Sequence, residues 1–239
     1  MVPLGYFKED DRMSAPLLSV IVPVYNEANT IREILEKINS VVIDKEIIVI
    51  DDGSIDGTSR ILQSIKYNNL KVIHHSSNRG KGAAFLTGLA NASGNLIIVQ
   101  DADLEYDPND FLKLIDVIQK GLADIVFGVR FKENWHGLVM HKLGNKIITG
   151  LINVLFNTKL SDSFTCYKLL RRDTVNMLDI RAKGFEVEAE IITKAIKKRL
   201  RISEIPISYR PRGYSEGKKI RLKDGIRSIL SIIKYRFIL

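Results

Sequence analysis

The chain has 239 residues, 45% hydrophobic and 27% charged, which is enough for one large domain or two small ones and too apolar for global disorder. Its single cysteine, Cys166, excludes an internal disulfide and points to a reducing compartment. The net charge of +8 is uneven: from Lys197 onward thirteen Lys and Arg face three acids, so a near-neutral body carries a basic tail suited to phosphates, lipid headgroups or nucleic acid.

Residues 1–16 read as a polar, weakly ordered extension without the charged-then-apolar pattern of a leader. Leu17 to Val24 is the first expected strand, stopped by Pro23 and the turn Tyr25-Asn26-Glu27. Asn29 or Thr30 caps a helix to about Asn39, with Ile31, Ile34, Leu35 and Ile38 on one face. Glu46 to Ile50 is a second buried strand ending in Asp51-Asp52-Gly53-Ser54, and Asp56-Gly57-Thr58 opens the next helix. Leu70 to His74 is a third strand, followed by Ser77-Asn78-Arg79-Gly80-Lys81-Gly82 and a helix to about Ala92. The uninterrupted run Leu96 to Val99 reads as a strand buried on both faces, and it ends in Gln100-Asp101-Ala102-Asp103-Leu104-Glu105. Asp107 caps a helix from Pro108 to Gln119, and a fifth strand, Asp124 to Gly128, runs into Val129-Arg130.

Five strands alternating with four helices over residues 17–130 predict an α/β fold, a doubly wound and mostly parallel sheet with right-handed crossovers. After Arg130 the regularity weakens. His141 to Phe156 has near-helical apolar spacing, interrupted by Lys142, Asn145, Lys146 and Asn153. Phe164 to Leu170 reads as a strand, Phe185 to Lys198 as a helix, and Arg201 to Tyr209 as a strand that Pro206 places at an edge. A basic loop, 210–219, leads to a last helix, Lys223 to Leu239, with Ile226, Ile229, Leu230, Ile233 and Phe237 on one face. No apolar run approaches the roughly 18 residues that span a bilayer.

Polar or glycine-bearing clusters follow successive strands, and in an open α/β sheet ligands bind outside the carboxyl ends of the strands. Asp101, Asp103 and Glu105 are therefore expected beside a ligand. Two carboxylates about 4 Å apart repel by roughly 4 kcal/mol at an effective dielectric of about 20, so a cation is expected to relieve them. A hard divalent ion such as Mg2+ or Mn2+ suits oxygen ligands and bridges carboxylates to phosphates. The plainer reading, that these acids cap the next helix, fits Asp107 better than Asp101 or Asp103. No Gly-x-Gly-x-x-Gly follows the first strand and no P-loop exists, which argues against a dinucleotide dehydrogenase and a P-loop phosphotransferase. Asn78-Arg79-Gly80-Lys81-Gly82 is either a nucleotide contact or a plain strand–helix turn. His74, His75 and Cys166 read as structural.

Pro23-Val24-Tyr25-Asn26-Glu27, Asp51-Asp52-Gly53-Ser54-x-Asp56-Gly57-Thr58, Asn78-x-Gly80-x-Gly82-x-Ala84 and Asp101-Ala102-Asp103-Leu104 stand in that order. Over about residues 17–220 the chain resembles the inverting family 2 glycosyltransferases with the GT-A fold. Gly128-Val129-Arg130, Gly184-Phe185-Glu186-x-Glu188, and Pro206-Ile207-Ser208-Tyr209-Arg210-x-Arg212 followed by Ser215-Glu216-Gly217-Lys218-Lys219 resemble its dolichyl-phosphate mannose or glucose synthase branch. The resemblance implies a mixed, mostly parallel sheet flanked by helices, with a transferase domain over 17–212 and a basic loop and amphipathic helix over 213–239. It implies transfer of a hexose from GDP-mannose or UDP-glucose to dolichyl or polyprenyl phosphate. By the same resemblance Pro23, Tyr25 and Glu27 line the nucleobase pocket, and Asp52 contacts base or ribose. Gly80 and Lys81 lie beside the nucleotide, and Asp101-Ala102-Asp103 meets the ribose–diphosphate through Mg2+ or Mn2+. Glu105 stands where the branch often has Gln as a third metal contact. Ser163-Phe164-Thr165 departs from the branch's Ser/Thr-Gly-Phe-like segment, on the acceptor side.

A metal with Arg210, Arg212 or Lys218 would stabilise the departing nucleoside diphosphate, and Arg130 would hold the acceptor phosphate bidentately. A phosphate acceptor is already ionised and needs no strong base. A hydroxyl acceptor, in polysaccharide or glycoprotein synthesis, would need one, and Glu188 is the candidate. Glu186 and Glu188 are either an acid pair near the acceptor or the wet side of a helix. The tail helix suits an anionic membrane surface, with the 141–156 helix and Trp135 as further contacts; the other reading packs both helices on the core or in a homo-oligomer. These features place the protein in the cytoplasm, peripheral on the cytoplasmic face of a membrane. A basic binding module is the rival class, but no nucleic-acid-binding pattern is present and such a module has no use for the acidic motif.

Overall fold

The structure, a computed structural model, describes residues 15–130, 139–213 and 222–237. Strands β1 (Leu18–Val24), β2 (Lys45–Asp51), β3 (Leu70–His74) and β4 (Leu96–Val99) alternate with α1 (Ile31–Ser40), α2 (Thr58–Ser64) and α3 (Lys81–Asn91). A 3-10 turn, Pro108–Asp110, leads into α4 (Phe111–Gln119), followed by β5 (Ile125–Val129) and α5 (Val139–Phe156). Then come β6 (Lys168–Arg171), α6 (Arg172–Leu178), α7 (Val187–Lys197), β7 (Ile202–Pro206) and α8 (Leu222–Phe237). Residues 1–14 of the extension expected over 1–16, together with Trp135 and Lys218, lie outside the described residues.

The seven strands form one sheet in the order β3-β2-β1-β4-β6-β5-β7. Every neighbouring pair is parallel except the two that involve β6, which runs antiparallel between β4 and β5. The expected five-strand run is thus split: β5 does not pair with β4. The strand expected over Phe164 to Leu170 pairs only from Lys168, and the residues before it stay at the sheet's edge. Because β6 runs backwards, its N-terminal approach lies where the other strands end. That places residues 160–168 at the ligand-binding edge, between the acidic motif after β4 and Arg130 after β5.

The core forms as the periodicity predicts. Ile31, Ile34, Leu35 and Ile38 of α1 are all buried, each burial stabilising by roughly 1.5–3 kcal/mol. The central strands are buried end to end, as two-sided parallel strands require. β7 is an edge strand, with Pro206 opposite Val129. The Asp107 carboxylate accepts from the Asn109 N–H at 3.0 Å, capping the turn ahead of α4. Thr30 occupies the cap position of α1 but does not cap it; its hydroxyl donates to the Glu27 carboxylate at 3.0 Å. His74 and His75 bind Asp51 and Asp52, so both are structural.

α8 rests on α7 and α5. Its buried side chains are Asp224, Ser228, Ile232 and Tyr235, while Ile226, Leu230, Ile233 and Phe237 face outward. The expected apolar stripe exists, and it is not the face that the fold covers.

Candidate active site

The site is built on the carboxyl-end edge of the sheet. At its centre, β4 delivers Asp101 and Asp103 on a loop whose Leu104 has φ +61°, the left-handed region that costs a branched residue strain. This kink lets the Glu105 N–H reach the Asp103 carboxylate at 3.1 Å. Ala102 between the two acids is buried.

On one side a chain of alternating charges runs inward. Lys81, the first residue of α3, places Nζ 2.8 Å from Asp101 and 3.4 Å from Glu188. The other oxygen of Glu188 takes Lys168 Nζ at 2.5 Å, and that ammonium also donates to the Thr165 carbonyl. Burial alone would lower the Lys81 pKa, but the neighbouring negative charge, led by Asp101, holds it well above the usual value. Glu188 is therefore shared between two lysines. Glu186 accepts from the Gly184 N–H at 3.0 Å, and Glu190 is buried and takes the N–H groups of Arg181 and Ala182. Glu188 and Glu190 are thus turned inward, while Glu186, just ahead of α7, is half-buried.

The Gly80-Lys81-Gly82 turn fits against residues 182–184. At Gly80, φ is +96° and a Cβ would come 2.6 Å from the Lys183 carbonyl oxygen. Asp52 shapes the same turn. Its oxygens accept from Arg79 N–H at 2.9 Å and Gly80 N–H at 2.8 Å, with His75 Nδ1 at 2.6 Å. Asp52, expected beside base or ribose, is buried and orders the loop that presents Lys81.

On the other side Arg212 ties three strand ends together. Its guanidinium donates to Glu27 at 2.7 and 3.0 Å and lies 3.7 Å from Asp103, and its N–H donates to Glu105 at 2.9 Å. The Tyr209 hydroxyl donates to the other Glu105 oxygen at 2.7 Å, and Arg210 N–H donates to the Glu105 carbonyl. Burial, then the Glu105 charge, pushes the Tyr209 phenol well up, so it stays a donor. Both oxygens of Glu105 are thus occupied with the loop after β7, which is a different task from the third metal contact expected of it. Pro23 and Tyr25 sit half-buried at the end of β1 beside Glu27, and Arg210 is exposed.

Arg130 occupies the third quarter. Its Nε and Nη2 bind the two oxygens of Asp162, each at 2.8 Å, and Nη1 is 3.4 Å from the Tyr106 hydroxyl. The guanidinium also lies over the Tyr209 ring, 5.2 Å from its centroid. The bidentate grip expected for a ligand phosphate is thus taken up by Asp162. Asp162, Lys168 and the Tyr106–Tyr209 pair were not legible in advance. Only the polar run Ser161-Asp162-Ser163 hinted at the first, and the antiparallel path of β6 brings it here.

Among the described residues no three His, Cys, Asp or Glu side chains are grouped to hold a metal ion. Asp101 and Asp103 remain as a pair. Burial first, then the charges of Asp101 and Glu105, push the Asp103 carboxyl up to about 7, with the nearby Arg212 opposing them. Two carboxylates beside an open edge suit Mg2+ or Mn2+, which commonly takes one or two protein carboxylates and completes its shell with phosphate oxygens and water.

The mixed, mostly parallel sheet has the GT-A-like fold, with paired acids at the carboxyl edge where open α/β sheets bind ligands. The chain belongs to glycosyl transferase family 2, whose model matches residues 19–178. It is similar to a dolichol-phosphate mannosyltransferase of Pyrococcus furiosus, 32% identical over 231 residues that cover 91% of this chain and 64% of that protein. It is also similar to the low-salt glycan biosynthesis hexosyltransferase Agl6 of Haloferax volcanii, 31% identical over 222 residues, 90% of this chain and 52% of that one. The chain therefore spans between half and two thirds of the length of these relatives. The fold matches that of glucosyl-3-phosphoglycerate synthase from Mycobacterium tuberculosis, crystallised with Mn2+, UDP and phosphoglyceric acid. The TM-score is 0.72 at 20% identity, covering 93% of this chain and 79% of that one.

Proposed function

We propose that this chain transfers a hexose, with inversion, from a nucleoside diphosphate sugar to a polyprenyl phosphate at a membrane surface. The observation that carries the reading is the pairing, on one sheet edge, of the Asp101–Asp103 acids with Arg130, while Glu188 is already shared between Lys81 and Lys168. A hydroxyl acceptor would need a general base; a phosphate monoester acceptor needs a cation. The similarity to a dolichol-phosphate mannosyltransferase points the same way.

In this reading GDP-mannose or UDP-glucose lies along the ends of β1 and β4. Pro23 and Tyr25 line the base pocket, while Lys81 and Gly80 flank the diphosphate. Asp101 and Asp103 would hold Mg2+ or Mn2+, which when bound would supply positive charge beside the diphosphate. Arg212 and Arg210 add donors on the leaving-group side, where preorganised charge lowers the barrier most, and Lys218, outside the described residues, is the further cation proposed for the diphosphate. Arg130 meets the acceptor phosphate.

The lipid side rests on two neighbouring helices. α5 exposes Leu143, Ile147 and Val154, and α8 exposes Ile226, Leu230, Ile233 and Phe237. Arg227, Lys234 and Arg236 are exposed beside the α8 stripe. Aligned apolar side chains flanked by cations are suited to an anionic bilayer surface, where each basic residue contributes about 1 kcal/mol. Among the described residues no helix is long and apolar enough to cross a membrane, so contact would be lateral. We place this contact on the cytoplasmic face, in keeping with a chain whose one cysteine is a buried thiol.

The test is transfer of labelled sugar into a short polyprenyl phosphate from a panel of GDP- and UDP-sugars, with Mn2+ or chelator. Metal-dependent label in the organic phase supports the reading and names the donor. Metal-dependent transfer to a hydroxyl compound, with none to the lipid, overturns it.

A further inference from the structure

α5 turns both apolar and polar side chains inward. Beside the fully buried Ile152, its inner face carries Asn145 and Thr149, both buried, and the half-buried Asn153, four residues apart, whereas Leu143, Ile147 and Val154 face outward. The inner polar stripe grips one segment, residues 160–163. Asn153 donates to the Leu160 carbonyl and accepts from its N–H, both at 2.9 Å. The Thr149 hydroxyl meets the Ser163 hydroxyl at 2.8 Å. Asn145 Nδ2 donates to Asp162 Oδ1 at 3.0 Å. The same Oδ1 receives Arg130 Nη2, and Oδ2 receives Arg130 Nε. From the far side Glu204 accepts the N–H groups of Ser161 and Asp162.

Asp162 is fully buried, so its carboxylate has no water to exchange for these partners. Its orientation is set by what touches it, and Asn145 is the α5 side chain that does. Only the amide nitrogen can donate to a carboxylate, which fixes which way Asn145 points. Asn145 Oδ1, also buried, has no hydrogen-bond partner among the described residues, so this orientation is held by the Asp162 bond.

We propose that Asn145, acting through Asp162, is a positioning residue for the acceptor phosphate: it sets the Arg130 guanidinium from the helix whose outer face meets the lipid. This inference rests on the acceptor reading above. Its consequence is that seating α5 against a lipid surface and aiming the cation at the lipid's phosphate are one mechanical event. A phosphate entering this side meets an arginine held by its Nε and Nη2 edge, with Nη1 on the side of Tyr106.

The experiment compares wild type with Asn145→Ala, Asp162→Asn and Thr149→Val in steady-state transfer to polyprenyl phosphate. KM for the lipid and for the nucleotide sugar are measured separately, and nucleotide binding is measured by calorimetry without acceptor. Asn145→Ala is expected to raise the lipid KM about tenfold, the typical cost of a lost hydrogen bond to a charged group, with donor KM and nucleotide affinity within twofold. Asp162→Asn, if it folds, is expected to do more on the same axis. Thr149→Val breaks a neighbouring α5 contact that does not touch Asp162 and is expected to leave the lipid KM unchanged. An unchanged lipid KM in Asn145→Ala, or a fall in kcat with both KM values intact, overturns the proposal. So does an equal rise in Thr149→Val. A wild type that transfers to no polyprenyl phosphate overturns the acceptor reading and this inference with it.

Discussion

Arg212→Ala removes the guanidinium that clamps the loop after β7 onto the loop after β1, across the acidic motif. Arg212 and Glu27 are almost withdrawn from solvent, with 12% and 9% of their side-chain surfaces exposed, and they meet at 2.7 Å. Removing one partner of a fully buried pair costs about 3–5 kcal/mol, because the other charge is stranded. The residual exposure here lets water reach Glu27, so we expect about 2–3 kcal/mol. For a domain of this size that is a fall in Tm of about 5–10 °C. Asp103, 3.7 Å from the same guanidinium, also loses a neighbouring positive charge. Glu27→Gln in the Arg212→Ala background takes away the stranded carboxylate and should recover part of the loss. A double-mutant cycle by urea denaturation, in metal-free buffer, is expected to give a coupling of about 1.5–2.5 kcal/mol. A coupling below about 0.5 kcal/mol would refute the reasoning, since the two loops would then be held by something other than this pair.

Asp103→Ala is expected to abolish metal-dependent transfer and weaken Mn2+ binding, with circular dichroism and cooperative unfolding retained. Wild-type turnover in that variant would sink the metal assignment. Ile232→Ala, in the buried face of α8, should cost about 2–4 kcal/mol in denaturant unfolding, whereas Leu230→Ser on the exposed face should stay within about 0.5 kcal/mol and weaken binding to anionic vesicles. The reverse pattern would mean that α8 covers the core with its apolar stripe. Cys166 is buried, and burial together with the Asp101 charge pushes its thiol well up. It should resist a thiol reagent at pH 8 until the chain unfolds; rapid labelling of the native protein would contradict this packing.

Much of the fold was readable because it rests on local physics. Uninterrupted β-branched runs such as Ile47-Ile48-Val49-Ile50 have only one stable place, the middle of a parallel sheet, and they are fully buried. The stripe Ile31-Ile34-Leu35-Ile38 has one covered face. The placing of Asp101 and Asp103 follows from strand direction, since they stand just past the end of a buried parallel strand. What residue types could not reveal is which charge answers which. Arg130, Asp162 and Asn145 are brought together from three separate stretches of chain, and only β6 running antiparallel between β4 and β5 makes them neighbours. Glu105 stands just past a strand end, and the family resemblance put Asp52 beside base or ribose. Each also lies within hydrogen-bond reach of backbone N–H groups from a second loop, contacts set by tertiary distance rather than by spacing along the chain. The amphipathic stripe of α8 was plain from its periodicity. That the fold covers Ile232 and Tyr235 and leaves Leu230 and Phe237 outside was decided by the packing of α8 against α5 and α7. Periodicity determines that a helix has an apolar face, and only its neighbours determine whether that face is covered.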